Sequence, residues 1–388
     1  MSLVAFPFKN EDPEVLIGNV KVALSHPRVE EVLCVGASED RCFTALAEAS
    51  PKLEKEHGKP VKVIVQERIG ELRPGKGDGM NTALKYFLEE TSYRRLHFYD
   101  ADIVSFSQEW ITKAEEAADQ GFDVVRHYFP RASTDAMITW HITRTGFAIL
   151  WPESTLPWIE QPLGGELLLS RSVAEQLLND ERVRRQSDWG IDTLYTFAIV
   201  QNQFSLYETY IGVGKLHKLY GKLTDLKTML IECFSAIQSL QGERVPKGGT
   251  HRIEYPGPVP QKVREKIGYD VEGSLSLLAE GWTPRQEELL AYFPDKVREG
   301  MLACRSFPRF GFMDEDTWYK VYQILLEHFD PTDRDWQELI FRLWLARVLE
   351  YTVTVALRGY DYALHYLHQM VSRYAAQAFG KGGVKVTP

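Results

Sequence analysis

Short apolar runs alternate with longer amphipathic stretches over the first 130 residues of the chain. Strands are predicted at the runs LVAFPF, EEVLCVGAS, VKVIVQE, RLHFYDADIV and FDVVRHYF. Helical periodicity lies between them, at residues 13–25, 39–57, 79–91 and 107–120. This alternation predicts an α/β fold with a mostly parallel sheet and helices on both faces. In such a sheet, ligands bind where the carboxyl ends of the strands converge.

The remainder of the chain has a different pattern. Residues 131–170 read as irregular, with turns at WPESTLPW and PLGG, followed by helices at 170–178 and 189–202 and a strand at FSLYETYIGVG. After residue 223, long amphipathic runs at 224–241, 284–304, 315–328 and 335–377 surround a Pro/Gly-rich connection at 245–260. We therefore predict a catalytic domain over 1–223 and a mainly helical C-terminal region over 224–388.

Composition narrows the class of protein. The 45 Lys and Arg against 54 Asp and Glu give a net charge of −9, which argues against a nucleic-acid or membrane-surface partner. No apolar stretch reaches the length that a membrane span needs, and the N-terminus does not resemble a secretion signal. The four cysteines lack CxxC spacing, which favours free thiols and a cytoplasmic location: Cys34, Cys42, Cys233 and Cys304.

Two aspartates interrupt the fourth predicted strand. Asp100 and Asp102 flank Ala101 where the backbone is expected to leave the sheet. Two carboxylates so close together repel one another unless a cation lies between them. A hard divalent cation that also binds the phosphates of a nucleotide would serve. The alternative is a solvated loop, in which Ser107 caps the next helix.

A glycine-rich segment, RPGKGDGMNTAL at residues 73–84, precedes a predicted helix. Gly75, Gly77 and Gly79 let backbone N–H groups approach a phosphate, and Lys76 adds positive charge where a helix begins. The segment lacks the spacing of a Walker A loop. The alternative is an ordinary glycine-rich turn.

A histidine lies in a basic segment after the last predicted strand of the catalytic domain, in GVGKLHKLYGK. His217 is a candidate metal ligand, and Lys218 and Tyr220 are candidates for contact with a diphosphate or a sugar. A lone histidine with a structural or surface role is the alternative.

The order of these features resembles the metal-dependent GT-A glycosyltransferases, and within them the mannosylglycerate synthase family. The resemblance rests on an N-terminal FPFKN, the DAD at a strand end, a GG turn followed by WGID, and a late histidine after a strand. It covers roughly the first 225 residues, continues through the helical C-terminal part without a diagnostic motif there, and implies a GT-A fold. It also implies transfer of mannose from GDP-mannose to D-glycerate, or a similar small 2-hydroxy acid, with retention at the anomeric carbon.

The resemblance implies roles for individual residues. Residues 7–11 would line the nucleotide pocket, Lys9 would lie near the donor, and Gln66 would face the guanine edge. Asp102 and His217, with Asp100 contacting either the ribose or the ion, would hold Mg²⁺ or Mn²⁺, with Ca²⁺ and Co²⁺ also compatible. The implied donor-binding set is Pro7, Phe8, Lys9, Asn10, Glu11, Val35, Gln66, Lys76, Asp100, Ala101, Asp192, Lys218 and Tyr220.

Catalytic roles are implied for Asp192, Lys76 and Arg131. Asp192 would hold sugar hydroxyls, although its place beside Asp188 also suits a helix start. Lys76 would contact the donor phosphates or the acceptor. Arg131 would supply the cation for the acceptor carboxylate, with a surface salt bridge as the alternative. The implied acceptor-binding set is Arg131, Ala136, Met137, Ile138, Thr139 and Leu163.

No residue is an unambiguous nucleophile for a covalent sugar intermediate. We therefore predict front-face substitution, in which a leaving phosphate oxygen takes the proton of the glycerate 2-hydroxyl. Three alternatives remain at this level: an enzyme acting on 3-phosphoglycerate or transferring glucose, a sugar-phosphate nucleotidyltransferase, and a nucleotide-binding module without turnover. Arg126, His127 and Arg144 are candidate cations for a phosphorylated acceptor. The aromatic-rich helix at 335–353 leaves association into a homo-oligomer open.

Overall fold

The computed structural model describes residues 1–216 and 223–380. The described strands form one eight-stranded sheet in the order β3-β2-β1-β4-β6-β5-β7-β8. Among the strands of the described residues, only β6 runs antiparallel to its neighbours, and the other pairings are parallel. The strands are β1 (Ser2–Pro7), β2 (Val29–Gly36), β3 (Val61–Val65), β4 (Arg95–Phe98), β5 (Val124–Tyr128), β6 (Leu167–Ser170), β7 (Leu206–Tyr210) and β8 (His251–Ile253).

Helices connect most of the strands and make up most of the C-terminal part. A π-helix at Thr139–Arg144 runs into α5, and short 3₁₀ turns lie at Leu156–Trp158, Leu290–Tyr292 and Ala356–Arg358. The α-helices are α1 (Pro13–Leu24), α2 (Arg41–His57), α3 (Lys76–Glu90), α4 (Gln108–Asp119), α5 (Thr145–Leu150), α6 (Arg171–Asn179), α7 (Glu181–Arg185), α8 (Ile191–Gln201), α9 (Leu223–Ser239), α10 (Gln261–Arg264), α11 (Val271–Ala279), α12 (Pro284–Leu289), α13 (Asp295–Ala303), α14 (Glu315–His328), α15 (Arg334–Thr354) and α16 (Tyr360–Gly380).

The predicted fold class is confirmed: a mixed, mostly parallel sheet with flanking helices and a mainly helical C-terminal part. Local sequence signals account for several helix ends. The Asp12 side chain accepts the N–H of Glu14 at 2.9 Å to cap α1, and Gly58 ends α2 in the left-handed conformation.

The chain divides into two compact units that interleave along the sequence. The sheet unit consists of Met1–Pro130, Trp158–Leu219 and Arg244–Pro258. The helical unit consists of Arg131–Pro157, Tyr220–Glu243 and Val259–Pro388. The division at residue 223 into a catalytic domain and a helical region stays a prediction about domains.

Several local predictions were wrong, and the segment at 131–170 that was expected to be irregular contains the π-helix and α5. The fourth strand ends at Phe98 rather than continuing through the DAD, and α3 begins at Lys76, so the second half of the glycine-rich segment is helical. Two short strands were missed: β6, in the region read as irregular, and β8, in the Pro/Gly-rich connection. Such short strands are defined by their neighbours in the sheet more than by their own residues.

An aromatic cluster forms part of the core of the sheet unit next to the end of β4. Tyr99 and Phe106, on either side of the DAD, have ring centroids 4.7 Å apart, and Phe6 meets Phe106 edge-on at 5.7 Å. Trp110 of α4 completes the cluster. The turn between β4 and α4 is therefore fixed at both ends by buried rings. No helix among residues 1–216 and 223–380 is long and apolar enough to cross a bilayer.

Candidate functional site

The carboxyl ends of β1, β2 and β3 bring three of the predicted donor-binding residues together. Pro7 pairs with Val35 in the sheet, and the Gln66 N–H donates to the Gly36 carbonyl at 2.8 Å. A Cβ added to Gly79 would lie 3.1 Å from Gln66 Oε1 and 3.3 Å from Pro7 Cβ. The beginning of α3 therefore packs directly against this edge of the sheet, as expected for parallel strands.

The segment from Lys9 to Glu11 continues from this edge into a turn. Phe8 is buried, and its ring fills the space that a side chain at Gly36 would take. Asn10 adopts a left-handed backbone conformation with φ of 59°, and its N–H donates to Asp40 Oδ2 at 2.5 Å. Lys9 is exposed at the surface of the sheet unit.

The DAD turn keeps the alternation of a strand without pairing as one. Tyr99, Ala101 and Ile103 are buried, whereas Asp100 and Asp102 alternate with them and are only partly buried. Asn19 of α1 donates to the Ala101 carbonyl at 3.3 Å. The apolar members of the run therefore anchor the turn, which directs both carboxylates away from the core. The Ser107 side chain makes no capping hydrogen bond to α4.

The glycine-rich segment is held by a buried aspartate that sequence reasoning did not single out. Asp78 accepts the N–H groups of Ile69 and Gly70 at 3.1 and 2.8 Å and pairs with Arg68 at 2.7 Å. A Cβ added to Gly77 would lie 2.3 Å from the Gln186 carbonyl oxygen. The glycines therefore serve a close approach between this segment and the chain that leads into α8.

Asp192 lies in the first turn of α8, and its side chain is only 6% exposed. Just before it, Asp188 Oδ1 accepts the Gly190 N–H at 2.8 Å, so Asp188 shapes the helix start. Asp192 Oδ2 instead pairs with Lys76 at 2.9 Å. Its Oδ1 is buried and has no hydrogen-bond partner within the described part of the chain.

Five charged side chains form a continuous chain of alternating sign at this edge of the sheet, which we call the charge chain: Asp192, Lys76, Asp100, Lys215 and Glu166. Lys76 Nζ lies 3.3 Å from Asp100 Oδ1. Lys215 Nζ lies 2.5 Å from Asp100 Oδ2 and 2.5 Å from Glu166 Oε1. Each oxygen of Asp100 therefore faces a different lysine. Buried charges of this kind persist only when they are paired.

The pKa values within the charge chain are shifted in opposite directions. Burial disfavours ionised Asp100, but Lys215 and Lys76 outweigh it and hold the pKa of Asp100 well below its usual range. Burial raises the pKa of Glu166 to about 7, against the attraction of Lys215. Burial also raises the pKa of Asp192, with Lys76 opposing the shift. Shifts of this size on clustered groups are typical of functional sites.

Lys76 is the cation at the centre of the charge chain. Burial acts to lower its pKa, but Asp100, Asp192 and Glu166 outweigh burial and raise the pKa well above the usual lysine value. Lys76 therefore stays protonated across the physiological pH range, and its ammonium group is a fixed positive charge at the site.

The turn that contains Leu163 is held in place by hydrogen bonds to buried side chains of β5 and β7. Arg126, which is buried, donates to the carbonyl oxygens of Gln161 and Gly164 at 3.0 and 2.7 Å. Glu208 of β7, which is also buried, accepts the Glu160 N–H at 2.9 Å. A Cβ added to Gly165 would lie 2.5 Å from Asp100 Oδ1, so the backbone passes directly beside the charge chain.

Two of the cations considered for a phosphorylated acceptor have structural partners in the sheet unit. Arg126 holds the turn just described, and His127 is buried with Nε2 2.9 Å from the Trp110 carbonyl. Arg144 is also buried, in the helical unit, where its Nε donates to the Pro157 carbonyl at 3.2 Å. All three side chains therefore have structural roles inside their own units.

The remaining acceptor candidates lie in the helical unit. Arg131 faces Asp135 at 3.6 Å, and Ala136 adopts a left-handed φ of 55°. The segment is bonded to α15, because Tyr351 donates to the Ser133 carbonyl at 2.8 Å and Trp344 to the Met137 carbonyl at 3.4 Å. Ile138 and Thr139 are buried where the π-helix begins.

The predicted metal ligands are only partly described. His217, Lys218 and Tyr220 lie outside the described residues, and within those residues no group of three or more His, Cys, Asp or Glu side chains could hold an ion. The chain that leads to His217 is nevertheless fixed beside the DAD turn. Val104 N–H donates to the Leu216 carbonyl at 2.7 Å, and Leu216 N–H donates to Ser105 Oγ at 2.9 Å.

Sequence reasoning missed two members of the charge chain, Glu166 and Lys215. Both follow glycines in segments that had been noticed for other reasons, PLGG and GVGK. The available signal was a charged residue where an apolar strand begins, in GGELLL. Along the chain, Asp100 lies 66 positions before Glu166 and 115 positions before Lys215, and no local sequence pattern shows that residues so far apart will pair.

Known protein families and proteins match this chain over nearly its whole length. The glycosyltransferase domain of mannosylglycerate synthase matches residues 2–239, and the C-terminal domain of the same family matches residues 263–371. A mannosylglycerate synthase of Rhodothermus marinus is 63% identical, over 99% of this chain and 96% of that protein. One from Selaginella moellendorffii is 56% identical, over 96% of this chain and 89% of that protein.

A solved structure is similar at a much lower level. It is a glucosyl-3-phosphoglycerate synthase from Mycobacterium tuberculosis in complex with Mg²⁺ and uridine diphosphate. It is 19% identical, with a TM-score of 0.49 over 64% of this chain and 80% of that one, and this likeness is too weak to bear on function. The two domain matches and the close relatives suffice: the chain belongs to the mannosylglycerate synthase family and is a glycosyltransferase.

Proposed function

We propose that this enzyme transfers mannose from GDP-mannose to the 2-hydroxyl of D-glycerate, giving 2-O-α-mannosylglycerate with retention of configuration. The observation that carries the proposal is the 63% identity to a mannosylglycerate synthase over 99% of the chain. The charge chain supports it, because it places buried, partnered cations and carboxylates at the sheet edge where parallel α/β folds bind nucleotides.

The donor would bind across the ends of β1, β2 and β3. In this proposal Pro7 to Glu11, Val35 and Gln66 contact the nucleoside, and Asp100 and Ala101 contact the ribose or the ion. Lys218 and Tyr220 are proposed to contact the diphosphate or the sugar. Gln66 can distinguish a base edge, because an amide offers both a donor and an acceptor.

A divalent cation is proposed at Asp102 and His217, with Asp100 as a further candidate ligand. The chemistry of these residues fits such an ion: a carboxylate on a fixed turn, and an imidazole that follows a segment bonded to residues 104 and 105. When bound, Mg²⁺ or Mn²⁺ would offset the charge that develops on the departing diphosphate.

Asp192 and Lys76 are the residues proposed to act on the sugar and the phosphate. Asp192 Oδ2 is held by Lys76, which leaves the buried Oδ1 to accept sugar hydroxyls. An ammonium group has three donors, and Asp100 and Asp192 face two of them, so a third is available to a phosphate oxygen. Lys76 would thereby link sugar orientation to phosphate stabilisation.

The acceptor carboxylate is proposed to bind Arg131, with Ala136 to Thr139 and Leu163 as further contacts. The bond between the anomeric carbon and the phosphate oxygen breaks with its electrons leaving on GDP, while the glycerate 2-hydroxyl oxygen bonds to the same face of that carbon. The hydroxyl proton passes to the leaving phosphate oxygen. No covalent sugar–enzyme intermediate forms, so an enzyme-bound mannosyl ester detected by mass spectrometry would contradict this route.

The test is an assay of GDP release with product analysis by NMR. Release is expected only when GDP-mannose, D-glycerate and Mn²⁺ or Mg²⁺ are all present, is abolished by EDTA, and yields the α-anomer. 3-Phosphoglycerate and a glucose donor are supplied in parallel arms. Turnover confined to either arm would overturn the proposed acceptor or donor, and tight GDP-mannose binding without release would indicate a binding module. Arg131→Met is expected to raise the KM for glycerate at least 10-fold, leaving the KM for GDP-mannose within 3-fold.

A further inference from the structure

Lys215 is a buried cation with no role in the function described so far. Its side chain is 7% exposed, and its ammonium group lies 2.5 Å from both Asp100 Oδ2 and Glu166 Oε1. It lies in the turn after β7, five positions beyond Tyr210. A buried ammonium group held between two carboxylates has little freedom to move.

The backbone on either side of Lys215 is bonded to the turn that follows Asp102. Ser105 Oγ donates to the Gly214 carbonyl at 2.7 Å and accepts the Leu216 N–H at 2.9 Å. Val104 N–H donates to the Leu216 carbonyl at 2.7 Å. Gly214 has a φ of 76°, a conformation that favours glycine. The residue that pairs with Asp100 is therefore carried by the same backbone that fastens the end of the DAD turn.

Glu166 is the second carboxylate partner of Lys215. Its side chain is 0% exposed, so in this arrangement no substrate can reach it. Its Oε1 pairs with Lys215, and its Oε2 has no hydrogen-bond partner within residues 1–216 and 223–380. Any effect of Glu166 on the reaction must therefore act through the groups it faces, Lys215 and Asp100.

We propose that Lys215 is a positioning residue for the glycosyl transfer, with Glu166 as its counter-ion. By holding one oxygen of Asp100, Lys215 keeps the other oxygen facing Lys76 and fixes the turn that carries Asp102. The inference rests on the proposed function, because it assigns Lys215 to the donor and ion side of that site and not to the acceptor side. A purely structural lysine would stabilise the fold without changing how the folded enzyme binds Mn²⁺ and GDP.

The test compares Lys215→Met and Lys215→Arg by calorimetric titration of Mn²⁺ into the enzyme with GDP, in the absence of any reaction. Lys215→Met is expected to weaken Mn²⁺ binding at least 10-fold and to lower kcat at least 100-fold, with the KM for glycerate changed less than 3-fold. Lys215→Arg, which retains the charge, should recover Mn²⁺ affinity to within 3-fold of the wild type.

Lys113→Met is the matched control. Lys113 is another partly buried lysine of the sheet unit, and it bridges a carbonyl oxygen, of Tyr210 at 2.7 Å, and a carboxylate, of Glu254 at 2.9 Å. Lys113→Met is expected to lower the thermal stability while leaving the Mn²⁺ affinity and the KM for glycerate within 2-fold of the wild type. Wild-type Mn²⁺·GDP affinity in folded Lys215→Met would overturn the inference.

A second pair of variants covers the case in which Lys215→Met does not fold. Glu166→Gln retains the shape of the side chain and removes its charge, and it should weaken Mn²⁺ binding 3- to 10-fold. Glu166→Gln combined with Lys215→Arg should cost less than the product of the two single effects, because both residues act on one carboxylate. Unchanged affinity in Glu166→Gln would then contradict the inference. If the wild-type enzyme binds Mn²⁺·GDP but transfers no mannose, the proposed function fails; if it transfers mannose and the variants bind normally, only the role of Lys215 fails.

Discussion

Two buried glutamates of the sheet unit have opposite surroundings. Both carboxylate oxygens of Glu115 in α4 have partners: Oε1 accepts from Ser2 and lies 2.9 Å from His97 Nε2, and Oε2 pairs with Arg95. Glu166 lies in the charge chain with one oxygen paired and the other without a partner among the described residues. Both carboxylate oxygens of Glu115 are therefore paired in the folded protein, whereas Glu166 keeps one buried oxygen without a partner among the described residues.

The pKa values of the two glutamates differ in the same sense. Burial disfavours ionised Glu115, but hydrogen bonding and charge from His97, with bonds from Ser2 and Arg95, hold its pKa well below the usual range. Burial raises the pKa of Glu166 to about 7 because Asp100 adds repulsion and Lys215 only partly compensates. The two glutamates therefore distinguish a network that stabilises the fold from one that prepares a site.

The largest expected effect is on stability, from Glu115→Ala. Removing one member of a buried, paired network typically costs about 3–5 kcal/mol, because His97 and Arg95 lose their carboxylate. The free energy of unfolding, measured by urea denaturation, should fall by that amount. The kcat per folded molecule should stay within 3-fold of the wild type, and a loss of kcat in folded Glu115→Ala would break the distinction between the two networks.

Lys76→Met is expected to have the opposite effect to Glu115→Ala: it should lower activity much more than stability. Loss of one preorganised charged donor typically lowers kcat about 10²–10³-fold. The two carboxylates that Lys76 pairs with would also lose their common cation. Steady-state kinetics with GDP-mannose and glycerate measure the loss, with Lys113→Met as control. A wild-type kcat in Lys76→Met would show that the charge chain takes no part in the reaction.

Gly165→Ala tests how tightly the charge chain is packed. The added Cβ would lie 2.5 Å from Asp100 Oδ1 and 2.6 Å from Lys76 Nζ, so these side chains would have to shift. Misplacement by about 1 Å can lower a rate about 10²-fold. The matched control is Gly18→Ala in α1, where nothing lies within 4 Å of the added Cβ. Gly18→Ala should keep full activity, and equal activity in both variants would contradict the close packing.

The smallest expected effect is on the pH dependence of stability. The pKa of Glu115 is lower in the folded than in the unfolded protein, so its contribution is complete above the unfolded value of about 4.3. That contribution is lost progressively as pH falls from the unfolded value towards the folded one. The melting temperature should therefore drop less between pH 5 and pH 3 in Glu115→Gln than in the wild type, with the two curves measured by calorimetry. Parallel curves would show that Glu115 is not the group responsible.

The elements with strong periodicity were readable from the sequence, and so were the residues at the strand ends. Lys76 and Asp100 were singled out by their local setting and Asp192 by the family resemblance, and the structure brings their side chains into direct contact. The reason is that parallel strands and the turns after them necessarily share one edge of the sheet. The position of a residue at the end of a strand can therefore be predicted from the local sequence pattern.

The pairing of those residues was not readable. Glu166 and Lys215 reach Asp100 through β6 and the turn after β7, and the antiparallel pairing of β6 gives no distinct signal in the run LLLS. The predicted fourth strand included the DAD, whereas in the structure the strand ends at Phe98 and the DAD forms a turn fixed by buried rings. Tertiary contacts decide both outcomes.

We propose that a divalent cation, held by Asp102 and His217, binds the diphosphate of the sugar donor. The most direct measurement is a crystal structure of the enzyme soaked with GDP and Mn²⁺, with data collected at the manganese absorption edge. We predict one anomalous peak bonded to an Asp102 oxygen, to His217 and to the diphosphate, with Lys215 still paired with Glu166. A peak absent from Asp102, or GDP bound with His217 turned away, would contradict the account.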